Sequence, residues 1–94
     1  MNVKLMINKD GTTDDTPPNG YSSWKNYWET KKGVKFPNKC CVLTCNNTAE
    51  VGAHVILFYY GIQDYIVPMC REHNNPNNKD IMAIDEKYLV KIEN

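Results

Sequence analysis

Apolar and polar residues alternate from the start of the chain. Val3, Leu5 and Ile7 are interleaved with Asn2, Lys4, Met6 and Asn8. A period of two predicts a half-buried strand, with Val3, Leu5 and Ile7 as its apolar side. Asp10-Gly11 ends the strand as a turn, and Thr12 to Gly20, with Pro17-Pro18 inside, reads as a loop or linker. The period then lengthens. Tyr21, Trp24 and Trp28 recur on one helical face with Tyr27 beside them, which predicts a helix over about 23–32. Ser22 is placed to cap it and Gly33 to stop it. Val34 to Asn38 is a short extended approach interrupted by Pro37.

Two further strands are predicted in the middle of the chain. Val51 to Tyr60 is nearly all apolar after Gly52, and Tyr65 to Met69 follows a turn at Gly61-Ile62-Gln63-Asp64. Pro68 is expected at a strand end, where its missing N–H breaks no ladder bond. Asn75 to Asn78 is turn material. Ile81 to Ile84 and Tyr88 to Ile92 are read as a terminal hairpin around Asp85-Glu86-Lys87, with a short amphipathic helix as the competing form of its first arm. The fold class is therefore α+β, one domain over 1–94, divided into an N-terminal part (1–39) and a core part (40–94).

A chain of 94 residues hides only a little over ~60% of its surface on folding, so an apolar core alone is marginal and a covalent or metal staple adds what it lacks. Four cysteines and both histidines supply the candidates: Cys40, Cys41, Cys45, His54, Cys70 and His73. No stretch is long enough to span a bilayer and the N-terminus lacks a signal-type apolar run, so a cytoplasmic location with no membrane partner is expected. In a reducing compartment clustered cysteines favour metal over disulfides.

Zinc takes four thiolate or imidazole donors in a closed tetrahedron when its role is structural. Cys70-x2-His73 is one donor pair. The other is C-x4-C from Cys40 or C-x3-C from Cys41, each ending at Cys45. Cys40 with Cys45 is the preferred pair, because Cys41 can then turn inward as a small apolar residue. The expected centre is thus Zn²⁺ on Cys40, Cys45, Cys70 and His73. His54 could take the place of His73, but a histidine within a strand is more often hydrogen-bonded or free for chemistry.

Formal net charge is zero, with the N-terminal part (1–39) at seven Lys against four acids and the remainder at four basic residues against seven acids. That balance excludes a protein that coats DNA along its whole surface. From Tyr21 to Lys39 five lysines are interleaved with five aromatics and one Glu. Trp24, Lys25, Trp28, Lys31, Lys32 and Lys35 are accordingly candidate DNA or RNA contacts by stacking and phosphate pairing. The alternative is that the tryptophans pack the helix on the core and the lysines form its solvated edge.

The run Cys40…Cys45…Ala53-His54-Val55…Pro68-Met69-Cys70-Arg71-Glu72-His73-Asn74 resembles the zinc-containing HNH endonuclease domain. This resemblance covers about 40 residues and implies a treble-clef, ββα-metal core with a hairpin between two ligand pairs. It also implies His54 as general base, with Mg²⁺ or Mn²⁺ held near Asp64 and Asn74. Two positions depart from the family's active pattern: Ala53 precedes the base, and Tyr65 stands where an Asn is usual. Gly52 to Val55 and Ile66 to Asn74 are similar, with Met69 for Leu, to a Gly-Ala-His-Val…Ile-Val-Pro-Leu-Cys-x-x-His-Asn signature of small bacterial zinc proteins. The expected function is a zinc-stapled binding module for nucleic acid or protein. A metal-dependent nuclease using His54 and a purely structural accessory protein are the alternatives.

Overall fold

The computed structural model describes residues 1–10, 16–58 and 63–93, and these form one α-helix and a five-stranded antiparallel sheet. The strands are β1 (Val3–Asn8), β2 (Val51–Leu57), β3 (Asp64–Met69), β4 (Met82–Asp85) and β5 (Val90–Lys91), and the helix is α1 (Trp24–Lys32). Their order across the sheet is β4-β1-β2-β3-β5. Expected structure at Thr12–Asp15, at Tyr59-Tyr60 and at the Gly61-Ile62 turn lies outside the described residues.

The helix ends are set locally. Ser23, not Ser22, is the N-cap: its extended backbone lets its hydroxyl accept from the Asn26 amide at 2.9 Å. Gly33 closes the other end at φ 74°, a left-handed turn that brings its N–H to the Glu29 carbonyl at 2.8 Å. Lys31 and Lys32 in the last turn suit the negative end of the helix dipole. The start of α1 rests on β2 at Gly52. A Cβ there would stand 2.7 Å from the Trp24 carbonyl carbon and 2.9 Å from the Lys25 nitrogen, so only glycine permits this approach.

The sheet has two unlike faces, because successive side chains of a strand point to opposite sides. Met6, Ala53, Val55, Leu57, Val67, Met69, Met82 and Ile84 share one face, with Cys40, Cys41, Val42, Cys45 and Cys70 packed over it. Ile66 and Val90 lie on the other face, against Tyr27 and Trp28 of α1. The helix touches β2, β3 and β5. Its footprint explains a reversal in β1. Met6 is fully buried, while Val3 and Leu5 are 51% and 41% exposed. The strand does alternate, but its polar-flanked methionine faces the deeper core. The Val3–Leu5 side lies on the helix face, toward the β4 edge of the sheet, whereas the main contacts of α1 are with β2, β3 and β5.

The terminal hairpin does not form. β4 pairs with β1 (Leu5 opposite Ala83) and β5 with β3 (Ile66 opposite Val90), so the two segments occupy opposite edges. Glu86–Tyr88 forms a single 3₁₀ turn between them, with Asp85 capping the Lys87 amide. The five steps from Asp85 to Val90 span at most about 18 Å when fully extended, and the 3₁₀ turn shortens them, whereas a flat five-stranded sheet sets its edges about 19 Å apart. The sheet must therefore coil to bring its edges together. Both edges are bonded from outside: Leu43 donates to the Ala83 carbonyl of β4 at 2.9 Å, and the Tyr27 hydroxyl to the Lys91 carbonyl of β5 at 3.3 Å. Pro68 sits in β3 opposite Gly52, and its carbonyl accepts from Cys41 at 2.8 Å. In an antiparallel strand a residue's N–H and C=O point the same way. The missing Pro68 N–H therefore faces outward and breaks no bond to β2.

Candidate metal centre

The ligand loops are held on the sheet before any metal is considered. Cys40 donates to the Asn47 carbonyl (2.9 Å) and Cys41 to Pro68, while Val42 bridges to Ile84 of β4. The loop then reverses sharply. Cys45 donates to Val42 at 3.0 Å, and Thr44 takes φ 73°, an unusual left-handed conformation for a residue with a branched Cβ. Cys70 follows β3 directly, and the Asn74 amide returns to the Cys70 carbonyl at 3.0 Å, folding Cys70 to His73 into one turn.

These two loops bring one donor atom from each of Cys40, Cys45, Cys70 and His73 to within 4.8 Å of one another. Cys45 Sγ and Cys70 Sγ are 4.0 Å apart, and Cys70 Sγ lies 3.2 Å from His73 Nδ1. Zinc–sulfur bonds of about 2.3 Å and zinc–nitrogen bonds of about 2.0 Å set tetrahedral edges near 3.8 and 3.5 Å. The observed separations stand on either side of those edges, so the donor set fits a tetrahedral ion. The four residues can hold a metal ion, and the three sulfurs are buried.

Cys41 is buried in the same apolar cluster but lies outside the donor set. The neighbouring Cys41 thiol lowers the Cys40 pKa to about 4, against the opposing effect of burial. The Cys70 amide (3.3 Å) and the Val42 amide add to that pull. The Cys40 sulfur, together with burial, pushes the Cys41 thiol up, so Cys41 stays neutral. Desolvation raises the Cys45 thiol, with the Asn47 backbone opposing. The His73 amide (3.5 Å) and Asn47 Nδ2 (3.8 Å) point at the Cys70 sulfur. A thiolate accepting N–H bonds is the ligand form, so the amides aimed at Cys40 and Cys70 suit those two sulfurs to a cation, while burial opposes it at Cys45.

The remaining sequence candidates are dispersed. His54 lies on the helix face, with its side chain 7% exposed. Its ring meets Trp24 edge-on at 4.9 Å, and its Nε2 stands 3.9 Å from Asp64 Oδ2. Lys9 Nζ reaches the same carboxylate at 2.5 Å. His54 and Asp64 are thus neighbours, but Asn74 is exposed at the Cys70–His73 turn, among the donors packed over the opposite face. The tryptophans do not form the expected stacking platform. Trp28 is 2% exposed and bonded to Tyr88, and Trp24 is half-buried against Tyr27 and His54. Lys25, Lys31, Lys32 and Lys35 do line the surface, with Lys31 3.7 Å from Glu93 and Lys25 over the Phe36 ring. Asn8 and Asn47 are the site residues that sequence reasoning missed. The available signal was Asn8's place two residues from Met6, on the same face of the strand.

The architecture is an α+β domain built around a four-donor Cys/His centre. Comparison with protein-family models, with curated proteins and with solved structures finds no match for the chain. Among the described residues no helix is long and apolar enough to cross a membrane.

Proposed function

We propose that the chain is a small structural-zinc domain with a degenerate HNH-like, treble-clef core, acting as a binding module and not as a catalyst. The convergence of Cys40, Cys45, Cys70 and His73 at tetrahedral spacing carries this reading. A Cys₃His set with no oxygen donor favours zinc over magnesium or calcium. The centre is filled by protein donors, which leaves no open position for a substrate. The HNH resemblance agrees with a β2–β3 hairpin running between the two ligand pairs. His54, the general base of the nuclease alternative, is largely buried, with its ring edge-on to Trp24 and its Nε2 turned toward Asp64. Native mass spectrometry is expected to give one zinc per chain. Cys41→Ala keeps that ion and Cys40→Ala loses it. A wild-type chain without metal, or a Cys41→Ala chain that loses it, would overturn the assignment.

The exposed lysines of α1 and the segment after it favour nucleic acid as the bound partner. With Trp28 in the core, contact falls to charge and not to stacking, so affinity for a single-stranded oligonucleotide must fall with salt. Lys32→Ala together with Lys35→Ala is expected to reduce the slope of log affinity against log salt by about 1.4, the contribution of two phosphate contacts. Affinity unchanged across a salt titration would leave a protein partner as the reading.

A further inference from the structure

The metal loops and the N-terminal strand meet at a single carbonyl. Asn8 Nδ2 donates to the His73 carbonyl at 2.7 Å, and Asn78 Nδ2 donates to the same oxygen at 2.9 Å. A carbonyl oxygen has two lone pairs, so both are used and the peptide plane after His73 is pinned from two directions. One pin comes from the loop itself. The other comes from the last residue of β1, 65 positions earlier in the chain.

Asn8 occupies an awkward position. Its alternation with Met6 puts it on the deep face of the sheet, opposite Val55, where an apolar side chain would be the ordinary occupant. Its own Oδ1 is buried and, among the described residues, has no hydrogen-bond partner. Burying an unpaired amide oxygen is unfavourable. An apolar residue of the same shape would remove that penalty and serve the strand better. What it could not do is donate to His73.

We infer that Asn8 is a positioning residue of the metal centre: strand β1, through the Asn8 amide, fixes the backbone of His73 and so aims its Nδ1 at the cation. The inference rests on the metal-binding reading above. It makes the N-terminal strand part of the centre, although the strand contains no ligand. Groups that orient a ligating histidine commonly govern metal affinity by about 10–100-fold.

The test compares zinc-loaded Asn8→Leu, which is nearly isosteric and lacks the donor, with Ile7→Ala, which weakens the same strand on its other side. Two readouts are taken: the rate of zinc transfer to a chromophoric chelator, and the visible absorption of the Co²⁺-loaded protein. Asn8→Leu is expected to release zinc about 10–100-fold faster and to shift the Co²⁺ bands, while Ile7→Ala lowers the melting temperature and leaves the bands in place. Asn78→Ala removes the second donor without touching β1 and is expected to change the bands in the same direction. It also serves as the test if Asn8→Leu does not fold. Wild-type release and bands in a folded Asn8→Leu, or in Asn78→Ala where Asn8→Leu is unfolded, would overturn the inference alone. Equal acceleration in Ile7→Ala would also overturn it, by reducing Asn8 to strand stability. A wild-type chain that takes up neither zinc nor Co²⁺ would instead bring down the metal reading itself.

Discussion

Stripping the metal is expected to abolish the cooperative thermal transition of this chain, not merely to lower it. Cys40, Cys45 and Cys70 are members of the larger apolar cluster, so the centre lies inside the core. Its two loops fasten the ends of three strands. Cys41 bonds to the end of β3, Leu43 and Val42 cover the edge of β4, and the His73 turn holds β1 through Asn8. Without the ion, three thiols crowd within a few ångströms of one another and the loops lose the bond that closes them. Structural zinc contributes an apparent ~10–16 kcal/mol in small domains at neutral pH. Net stabilities of whole domains are only ~5–15 kcal/mol. The first term is thus as large as the whole of the second, and its loss leaves little or nothing in reserve. Circular dichroism melts with and without a strong chelator check this. A sigmoidal transition at the same temperature in both would remove the metal from any account of the fold.

Trp28→Ala is expected to produce the largest loss from any single substitution outside the metal donors, while leaving metal stoichiometry untouched. Among the described residues Trp28 is one of four buried members of the helix-side cluster, with Tyr27, Ile66 and Val90. Its ring meets Phe36 at 5.5 Å, and its Nε1 is the donor that satisfies the Tyr88 carbonyl at the end of the 3₁₀ turn. Truncating a buried tryptophan costs about 3–5 kcal/mol. Leaving the Tyr88 carbonyl without its partner adds about 1–3 kcal/mol where that oxygen stays dry. In a domain of this size each kcal/mol moves the melting temperature by roughly 4–8 °C, so the zinc-loaded variant should melt at least about 12 °C below wild type. Because α1 and the donor set pack on opposite faces of the sheet, native mass spectrometry should still find one zinc per folded chain. A melt within a few degrees of wild type would mean that α1 is not docked as described. Loss of zinc at unchanged folding would mean that the two faces are coupled.

The tests separate the two halves of the molecule. Metal removal acts on the Cys/His face and Trp28→Ala on the helix face. Asn8 stands where β1 joins the first to the rest of the sheet. The exposed lysines are on the helix side, so a nucleic-acid partner would dock away from the zinc. The centre would then support the binding surface without touching what is bound.

Much of this was written locally in the chain. Ser23 and Gly33 enclose α1 within one residue of the expected limits, because a cap and a left-handed stop depend only on adjacent backbone groups. The donor set follows from two short spacings on either side of an apolar hairpin, and a C-x2-H turn needs little from the rest of the fold. Other features required the assembled sheet. Alternation in β1 marks two sides of a strand, but which side is deeper depends on where a helix that begins 16 positions after the strand ends comes to rest. Ile81 to Ile92 carries strand signals in both halves, yet each half found a longer partner, β1 or β3, in place of its neighbour. Cys40 and Cys41 are chemically the same residue. Both are buried, and only their place between Asn47, Pro68 and β4 puts one in the donor set and leaves the other beside it. Local chemistry thus determined the elements and the metal-binding residues. Pairing, face and depth were decided by contacts between segments far apart in the chain, and no short stretch of sequence contains them.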